Sequence, residues 1–255
     1  MKARMLVMHA LALGVTLFSA EVPAQEPTAP IEILRSGQKT MPSDAGLGIE
    51  FRAQIQEAAQ SIQNGNYDQA LAQMQPVLRY CRAQRDVPNR RSLSFATRRQ
   101  YERFLAEHAD GIATEWLDMG CGWALRELGY MRVEQQQPES AVAFLEEAIQ
   151  IAPFDADSYI ELGVARIQMR QWKQALLAYQ QALAIGEAHP EARDTRAMAL
   201  RGIGFAHVEL GDLAQGRISY QRSLALDPGN PRALHELEYI GQLEATRAAD
   251  GTATR

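Results

Sequence analysis

The stretch that decides the fold is residues 122–189, which read GWALRELGYMRVEQQQPESAVAFLEEAIQIAPFD over 122–155 and ADSYIELGVARIQMRQWKQALLAYQQALAIGEAH over 156–189. The two halves carry one pattern of small and apolar residues, offset by 34 positions. A fixed period between about 20 and 50 residues is typical of stacked helical units, none of which buries its apolar face alone. The pattern therefore predicts an all-α solenoid of antiparallel helix pairs. The repeated residues are Leu125, Leu128, Gly129, Ala141, Leu145, Ala148 and Ile149 in the first copy, and Tyr159, Leu162, Gly163, Ala175, Tyr179, Ala182 and Leu183 in the second.

The helical period continues on both sides of this stretch, but the spacing changes. Apolar residues three and four positions apart predict a helical hairpin over 51–84. Downstream, Gly163 recurs as Gly204, 41 residues later, which is 34 plus 7. Since seven residues are nearly two helical turns, the added length extends a helix without rotating its apolar face. We therefore predict one long helix over 190–210, leading into a further repeat over 197–230.

Three further helices are predicted, and the one at 112–135 runs into the repeat that begins at residue 122. An amphipathic pattern predicts an extra helix at about 94–107, and a series of apolar residues predicts one long helix over 112–135. Gly120 and Gly122 leave open a break of that helix into two, because each glycine costs up to about 1 kcal/mol in a helix interior. A last helix over 231–247 has one apolar face, and it is expected to cap the open end of the stack.

The N-terminus has the pattern of a secretory signal peptide. Lys2 and Arg4 precede an apolar run over 6–18, and small residues follow before Gln25. The alternative is a membrane anchor, but the run is short for spanning a bilayer. We therefore expect cleavage, no stable membrane insertion afterwards, and an exported, periplasmic location. The predicted units are a signal peptide at 1–24, a flexible linker or arm at 25–48, a helical domain at 49–247 with repeats at about 51–84, 122–155, 156–189 and 197–230, and a tail at 248–255.

The composition is that of a folded protein and argues against nucleic-acid binding. Hydrophobic residues make up 46% of the chain and charged residues 22%, as is ordinary for a globular protein. The net charge of −5 has the wrong sign for a surface that binds phosphates. We therefore expect no nucleic-acid partner.

The chain has two cysteines, Cys81 and Cys121. An oxidising compartment permits a disulfide between them. The other interpretation is two buried thiols that act as small apolar fillers. The sequence leaves both open, because it does not show whether the two Cβ atoms come within reach of each other.

Several short motifs in these repeats resemble those of the tetratricopeptide repeat family. They are Leu128-Gly129, Leu162-Gly163, Ile203-Gly204, Gly211-Asp212 and Leu226-Asp227-Pro228. The resemblance implies a right-handed superhelix whose first helices line a concave groove that binds a peptide or a protein. Carried over position by position, it implies that the groove is lined by Trp123, Arg126, Tyr130, Val133, Ile160, Val164, Ile167, Arg201, Phe205 and Val208.

The chain departs from the family where each first helix ordinarily has a tyrosine. Arg132, Arg166 and His207 occupy that position. Either the two arginines present guanidinium groups to an acidic partner, or they form salt bridges with neighbouring glutamates such as Glu134 or Glu161, and we favour the salt bridges. The Lys/Asn clamp with which some family members hold a terminal carboxylate is not visible. We therefore expect a ligand that is not captured by its C-terminus.

No motif in the sequence supports catalysis or metal binding. Residues 235–238 resemble the start of a zinc-protease helix, but Tyr239 stands where a second histidine is required. Gly202 and Gly204 resemble part of a dinucleotide-binding loop, but they follow a helix and the third glycine is missing. We therefore predict no enzyme activity, no cofactor and no metal.

These observations predict a non-catalytic protein-interaction module of the periplasm or cell envelope. Its partner is expected to be a protein or a peptide, and its role that of an envelope-assembly adaptor or of an inhibitor that neutralises a toxin. The alternative is a homo-oligomeric scaffold, for instance a homodimer, in which the extended helices 112–135 and 190–210 self-associate.

Overall fold

The computed structural model describes residues 31–35, 38–43, 47–189 and 192–253, with side chains for 47–189 and 192–247. Within these ranges the chain forms ten α-helices and four short strands. The strands are β1 (Ile31–Arg35), β2 (Gln38–Ser43), β3 (Arg90–Ser94) and β4 (Ala113–Leu117). The helices are α1 (Arg52–Gln63), α2 (Tyr67–Arg85), α3 (Arg98–Glu107), α4 (Gly120–Glu134), α5 (Pro138–Ile151), α6 (Ala156–Gln168), α7 (Trp172–Glu187), α8 (Arg193–Glu209), α9 (Leu213–Leu226) and α10 (Pro231–Ala253).

Eight of these helices form four pairs: α1 with α2, α4 with α5, α6 with α7, and α8 with α9. The first helices of successive pairs also contact each other, and α10 packs against α9 at the end of the stack. We call α1, α4, α6 and α8 the inner row, and α2, α5, α7 and α9 the outer row. The predicted fold class, an all-α solenoid of helix pairs with a C-terminal capping helix, is confirmed.

The turn inside each pair has the same backbone geometry. One residue has a left-handed φ in each turn, namely Gly65 at 74°, Gln136 at 58°, Arg170 at 57° and Gly211 at 87°. The amide of the following residue donates to the carbonyl five positions earlier, at 2.8 Å in the first turn and 2.9 Å in the others. This bond satisfies a carbonyl at the end of the inner helix and sends the chain back antiparallel. Two of the four turns place a residue with a Cβ atom where glycine is favoured.

The spacing between inner helices depends on aromatic rings that meet glycines. The ring of Tyr179 on α7 lies against Gly163 on α6 and Gly202 on α8, and a Cβ atom on either glycine would come within 2.6 Å of it. Tyr179 is only 1% exposed. The ring therefore fills the junction of three helices, and its hydroxyl is carried into the interior of the stack.

The single long helix predicted over 112–135 is wrong. Residues Ala113–Leu117 form β4, and α4 begins only at Gly120. Strand β4 pairs in parallel with β3, and α3 connects the two, so that a β-α-β unit is inserted between the first and second helix pairs. The indole nitrogen of Trp116 donates to the carbonyl oxygen of Phe95 at 2.8 Å, which ties this strand to the segment after β3. Tertiary pairing therefore overrides the helical spacing of the apolar residues.

The stretch predicted as a flexible linker, 25–48, contains an antiparallel hairpin of β1 and β2. Strand β1 lies beside β4 of the inserted unit. This pairing is hard to predict from the sequence, because Pro42 falls inside β2 and proline is disfavoured within strands. Residues 25–30 and the predicted signal peptide at 1–24 lie outside the described residues.

The predicted long helix over 190–210 is present as α8, but it starts later. Its first residue is Arg193, and residues 190 and 191 lie outside the described ranges. Helix α8 has 17 residues and its counterpart α6 has 13, so the helix takes up four of the seven extra residues. Helix α7 is two residues longer than α5, and the connection from α7 to α8 is one residue longer than that from α5 to α6, which accounts for the other three.

Two other predicted boundaries also differ from the structure. The extra helix begins at Arg98 instead of 94, because β3 precedes it and Thr97 caps it by accepting a hydrogen bond from the Gln100 amide at 3.3 Å. Helix α10 continues to Ala253, so the tail predicted over 248–255 is helical over its described residues.

Cys81 and Cys121 form a disulfide, with their Cα atoms 5.6 Å apart. The bond joins α2 to the first turn of α4, and so connects the two ends of the inserted β-α-β unit. Both cysteines are buried in the core shared by the first two helix pairs. Of the two interpretations that the sequence left open, the structure shows the bridge.

We predict that replacing both Cys81 and Cys121 by alanine lowers the free energy of unfolding by about 2–4 kcal/mol. The bond spans 40 residues, and its loss returns conformational freedom to that loop in the unfolded chain. Urea denaturation of the two proteins measures the difference, and dithiothreitol should reproduce it in the native sequence alone. Equal stability with and without the bond would contradict the prediction.

We also predict that Arg170→Gly raises the free energy of unfolding by up to about 1 kcal/mol. Arg170 is exposed and has a φ of 57°, a conformation that glycine adopts without steric cost. Gly211→Ala, at the equivalent position of a later turn, is the matched control and should lower stability by a similar amount. Thermal denaturation followed by circular dichroism measures both, and effects of the same sign would contradict this account.

Candidate functional site

The residues predicted to line the groove lie on α4, α6 and α8, which are consecutive helices of the inner row. Val133 and Ile160 are only 2% and 8% exposed and lie in the cores between helices, not at the surface. Six other side chains of the set are half-buried and present part of their surface to solvent. They are Trp123, Tyr130, Val164, Ile167, Phe205 and Val208.

The two arginines of the predicted groove bind the connections between helix pairs. Arg126 Nη1 donates to the Asp155 carboxylate at 3.1 Å, immediately before α6. Arg201 Nη1 lies 3.1 Å from a carboxylate oxygen of Asp227, immediately after α9. Ion pairs of this kind hold the start of the following helix in place, so both guanidinium groups have structural partners.

Arg132 and Arg166 stand where the tetratricopeptide family ordinarily has a tyrosine. Both bind side chains in the turn between the two helices of their pair. Arg132 Nη1 donates to Gln137 Oε1 at 3.0 Å, and Arg166 Nη1 donates to Gln171 Oε1 at 2.6 Å. Arg166 also forms an ion pair with Glu146 on the outer row at 2.6 Å. The salt-bridge interpretation therefore holds for Arg166, with a different glutamate from those expected, whereas Arg132 binds amide groups.

A set of carboxylates that the sequence analysis did not single out surrounds Arg126. Its guanidinium lies 3.1 Å from Asp155, 3.6 Å from Glu127 and 3.7 Å from Asp157. Glu161 follows one turn later on α6, where its charge is felt by the same guanidinium. We call Glu127, Asp157 and Glu161 the acidic cluster. A signal for it existed, because Glu127 and Glu161 occupy the same repeat position, 34 residues apart.

Burial and mutual repulsion raise the pKa of the carboxyl groups in the acidic cluster. Burial and the neighbouring carboxylates raise the pKa of Glu161 from 4.5 to about 7, although the guanidinium of Arg126 opposes the shift. Burial also raises the pKa of Glu127 and that of Asp157. The inner row therefore concentrates negative charge in a place where water screens it poorly.

Tyr130 stands beside the acidic cluster on α4. Burial, and then the charges of Glu134, Glu161 and Glu127, raise the pKa of its hydroxyl to about 12. The hydroxyl therefore stays protonated at physiological pH and can donate a hydrogen bond. An aromatic face and a hydroxyl donor are features that protein interfaces use frequently.

The described residues contain neither a metal-binding group nor a spanning helix. No three histidine, cysteine or carboxylate side chains among them are placed to hold a metal ion. In the same ranges, no helix combines the length and the apolar character needed to cross a bilayer.

Comparison with known proteins gives a family match to one repeat and a similar fold. A family model described as the tetratricopeptide repeat matches residues 127–155. No curated protein matches the chain.

Solved structures that resemble the chain include PilF of Pseudomonas aeruginosa, with a TM-score of 0.56 and 17% sequence identity, over 78% of this chain and 71% of that protein. The first tetratricopeptide domain of human RPAP3 has a TM-score of 0.46 and 21% identity, over 50% of this chain and 95% of that domain. The second RPAP3 domain, in complex with the HSP70 peptide SGPTIEEVD, has a TM-score of 0.42 and 20% identity, over 46% of this chain and 92% of that domain. At these identities the similarity concerns the fold.

We predict that Glu161→Gln raises the free energy of unfolding by about 1–3 kcal/mol at pH 8, and by less at pH 5. The pKa of this carboxyl is 4.5 when unfolded and about 7 when folded. The stability it contributes is therefore complete below about pH 4.5 and is lost as the pH rises through about 7. Urea denaturation at the two pH values measures the gain. Glu57→Gln, on the exposed surface of α1, is the matched control; an equal gain from Glu161→Gln at both pH values would contradict the prediction.

Proposed function

We propose that this chain, whose residues 127–155 match the tetratricopeptide repeat model, is a non-catalytic protein-interaction module that binds a peptide or protein segment through its inner row. The observation that carries this proposal is the row of half-buried side chains on α4, α6 and α8. Tryptophan and tyrosine are enriched among the side chains that anchor interfaces, and the contacts around such anchors exclude water from them. Since the half-buried side chains stand on helices that are already packed, little ordering entropy is lost on binding.

The backbone that carries these side chains is braced at both ends of α6, the middle one of the three helices. Arg166 holds the turn after α6, and Arg126 holds the connection before it. Such bracing supports a recognition surface whose shape exists before the partner arrives. The mechanism is therefore equilibrium recognition by a preformed surface.

We further propose that the protein works outside the cytoplasm, in the periplasm or cell envelope. The N-terminal sequence pattern supports export, and the disulfide between Cys81 and Cys121 is compatible with an oxidising compartment. In that setting the module acts as an adaptor in an envelope assembly or as an inhibitor that neutralises a toxin. Both roles rest on the same binding surface.

The alternative of a self-associating scaffold depended on two extended helices. Only α8 exists as expected, because β4 interrupts the stretch 112–135. The interaction module is therefore the better supported of the two functions. Light scattering of the mature protein distinguishes them, since a scaffold of this kind is oligomeric without any partner.

We predict that changing Tyr130 and Phe205 together to alanine abolishes most capture of the native partner in crosslinking and mass spectrometry from the source cell. Both side chains are half-buried on inner-row helices, and their truncation removes contact area at the centre of the proposed surface. Leu177→Ala is the matched control, because Leu177 is 61% exposed on the outer-row helix α7. Circular dichroism checks that each variant is folded. Unaltered capture by the inner-row variant, or equal loss in the control, would place the interface elsewhere.

A further inference from the structure

Tyr179 carries a buried hydroxyl group without a hydrogen-bond partner. The residue is 1% exposed, and its hydroxyl makes no hydrogen bond with any of the residues that the structure describes. Buried hydroxyl groups nearly always have a partner, because an unsatisfied one costs free energy. Burial also raises the pKa of this hydroxyl, so it stays protonated at physiological pH. The group is therefore a donor that lacks an acceptor.

The contacts of the ring place this hydroxyl between α6 and α8. A Cβ atom added to Gly163 on α6 would lie 2.6 Å from Cζ at the tip of the ring, and one added to Gly202 on α8 would lie 2.5 Å from the same atom. The ring thus enters from α7, and its tip stands between the two glycines. Since the hydroxyl oxygen continues outward from Cζ, it points past both glycines, away from the outer row and into the inner row.

The missing acceptor is particular to this repeat. Gly202 occupies the repeat position that carries Glu127 in α4 and Glu161 in α6. Glycine has no side chain, so α8 offers no carboxylate at the level where the Tyr179 hydroxyl emerges. One repeat earlier, Leu145 occupies the position of Tyr179 and brings no hydroxyl. The combination of a buried donor with a glycine beside it therefore marks the contact between α6 and α8.

The side chains around this point are apolar. Met198 and Phe205 stand four positions before and three positions after Gly202, on the same face of α8. Val164 on α6 and Met198 both pack against the apolar cluster that contains Tyr179. Val164, Met198 and Phe205 are all half-buried, so each presents part of its surface to solvent. We call these three side chains, with the Tyr179 hydroxyl beneath them, the α6–α8 seam.

The charged groups that adjoin the α6–α8 seam have partners of their own. Arg201 Nη1 donates to Asp227 at 3.1 Å. Asp157 accepts from the Thr195 hydroxyl at 3.3 Å, across the first turns of α6 and α8. A charged side chain inserted among the apolar residues would lose its water and gain no counter-charge in contact with it, which costs free energy. The seam therefore favours an uncharged occupant.

We propose that the α6–α8 seam anchors the bound segment by taking an apolar side chain of an uncharged peptide, whose adjacent main-chain carbonyl accepts a hydrogen bond from the Tyr179 hydroxyl. This inference rests on the function proposed above and names the chemistry of the ligand. A main-chain carbonyl is an acceptor that every peptide carries beside its side chains. The hydroxyl is covered in the free protein, so binding displaces a half-buried side chain. Met198 suits this movement because it is unbranched and flexible, and rotamer changes are common at interfaces.

A random peptide library displayed on phage and selected against the immobilised mature protein tests the apolar part of the proposal. We expect the selected peptides to share an aliphatic or aromatic residue and no charged one. A synthetic peptide from that pool, acetylated and amidated, is then titrated by calorimetry. Met198→Gln, which is polar and of similar size, should weaken its binding on the order of tenfold. Leu177→Gln, on the exposed surface of the outer row, is the matched control and should bind like the native protein.

Tyr179→Phe tests the hydrogen bond, since it removes the hydroxyl and leaves the ring against both glycines. We expect this variant to bind the same peptide roughly three- to tenfold more weakly, as befits the loss of one hydrogen bond. Its unfolding temperature should not fall, because the hydroxyl has no internal partner to lose. Tyr220→Phe, at the equivalent position of the next repeat, is the matched control and should leave binding unchanged.

The outcomes separate this inference from the function on which it rests. Unchanged binding by Tyr179→Phe would overturn the inference, and so would a lower unfolding temperature, which would show that the hydroxyl serves the fold. Selected peptides that share a charged residue and are lost with Tyr130→Ala/Phe205→Ala would also overturn it, and would leave the interaction module standing. Selection of no peptide that depends on Tyr130 and Phe205 would overturn both proposals.

Discussion

The close contact between an aromatic ring and two glycines is the constraint on which the stack depends. Tyr179 occupies the space that side chains on Gly163 and Gly202 would otherwise take, and it is nearly inaccessible to solvent. Leu145 makes the same kind of contact with Gly129 one repeat earlier. Because interiors are close-packed, these contacts set how near each outer helix approaches the inner row, and thereby how the inner helices stand relative to one another.

This packing brings together charges that are far apart in sequence. Glu127 and Glu161 lie one repeat apart, and stacking places their helices side by side. A charged residue that recurs at one repeat position becomes a charged patch in a solenoid, since each unit contacts its neighbour in the same way. The raised pKa of Glu161 is a physical consequence of that arrangement, because burial and like charges both disfavour its ionised form.

The inserted β-α-β unit shows how a repeat protein accommodates a segment that does not follow the repeat pattern. The unit lies between the first two helix pairs, and the disulfide joins the helices on either side of it. The apolar side chains of Phe95, Tyr101 and Phe104 form a small core in the unit, and Phe154, which follows α5, packs against it. The first pair therefore remains in contact with the second despite a long interruption of the period. Such independence is expected where each unit packs mainly on its neighbours.

The sequence by itself determined the helix pairs, their turns and the resemblance to tetratricopeptide repeats, because these depend on residues three to five positions apart and on a strict period of 34. That resemblance also placed the residues proposed for the interface on α4, α6 and α8. Only the tertiary structure decided that residues 113–117 form a strand, since a parallel partner more than 20 positions away supplies its hydrogen bonds. It also decided that Val133 and Ile160 are buried and that the carboxylates of two repeats converge on Arg126. Those facts depend on which helix faces lie together in space, and the period alone does not specify them.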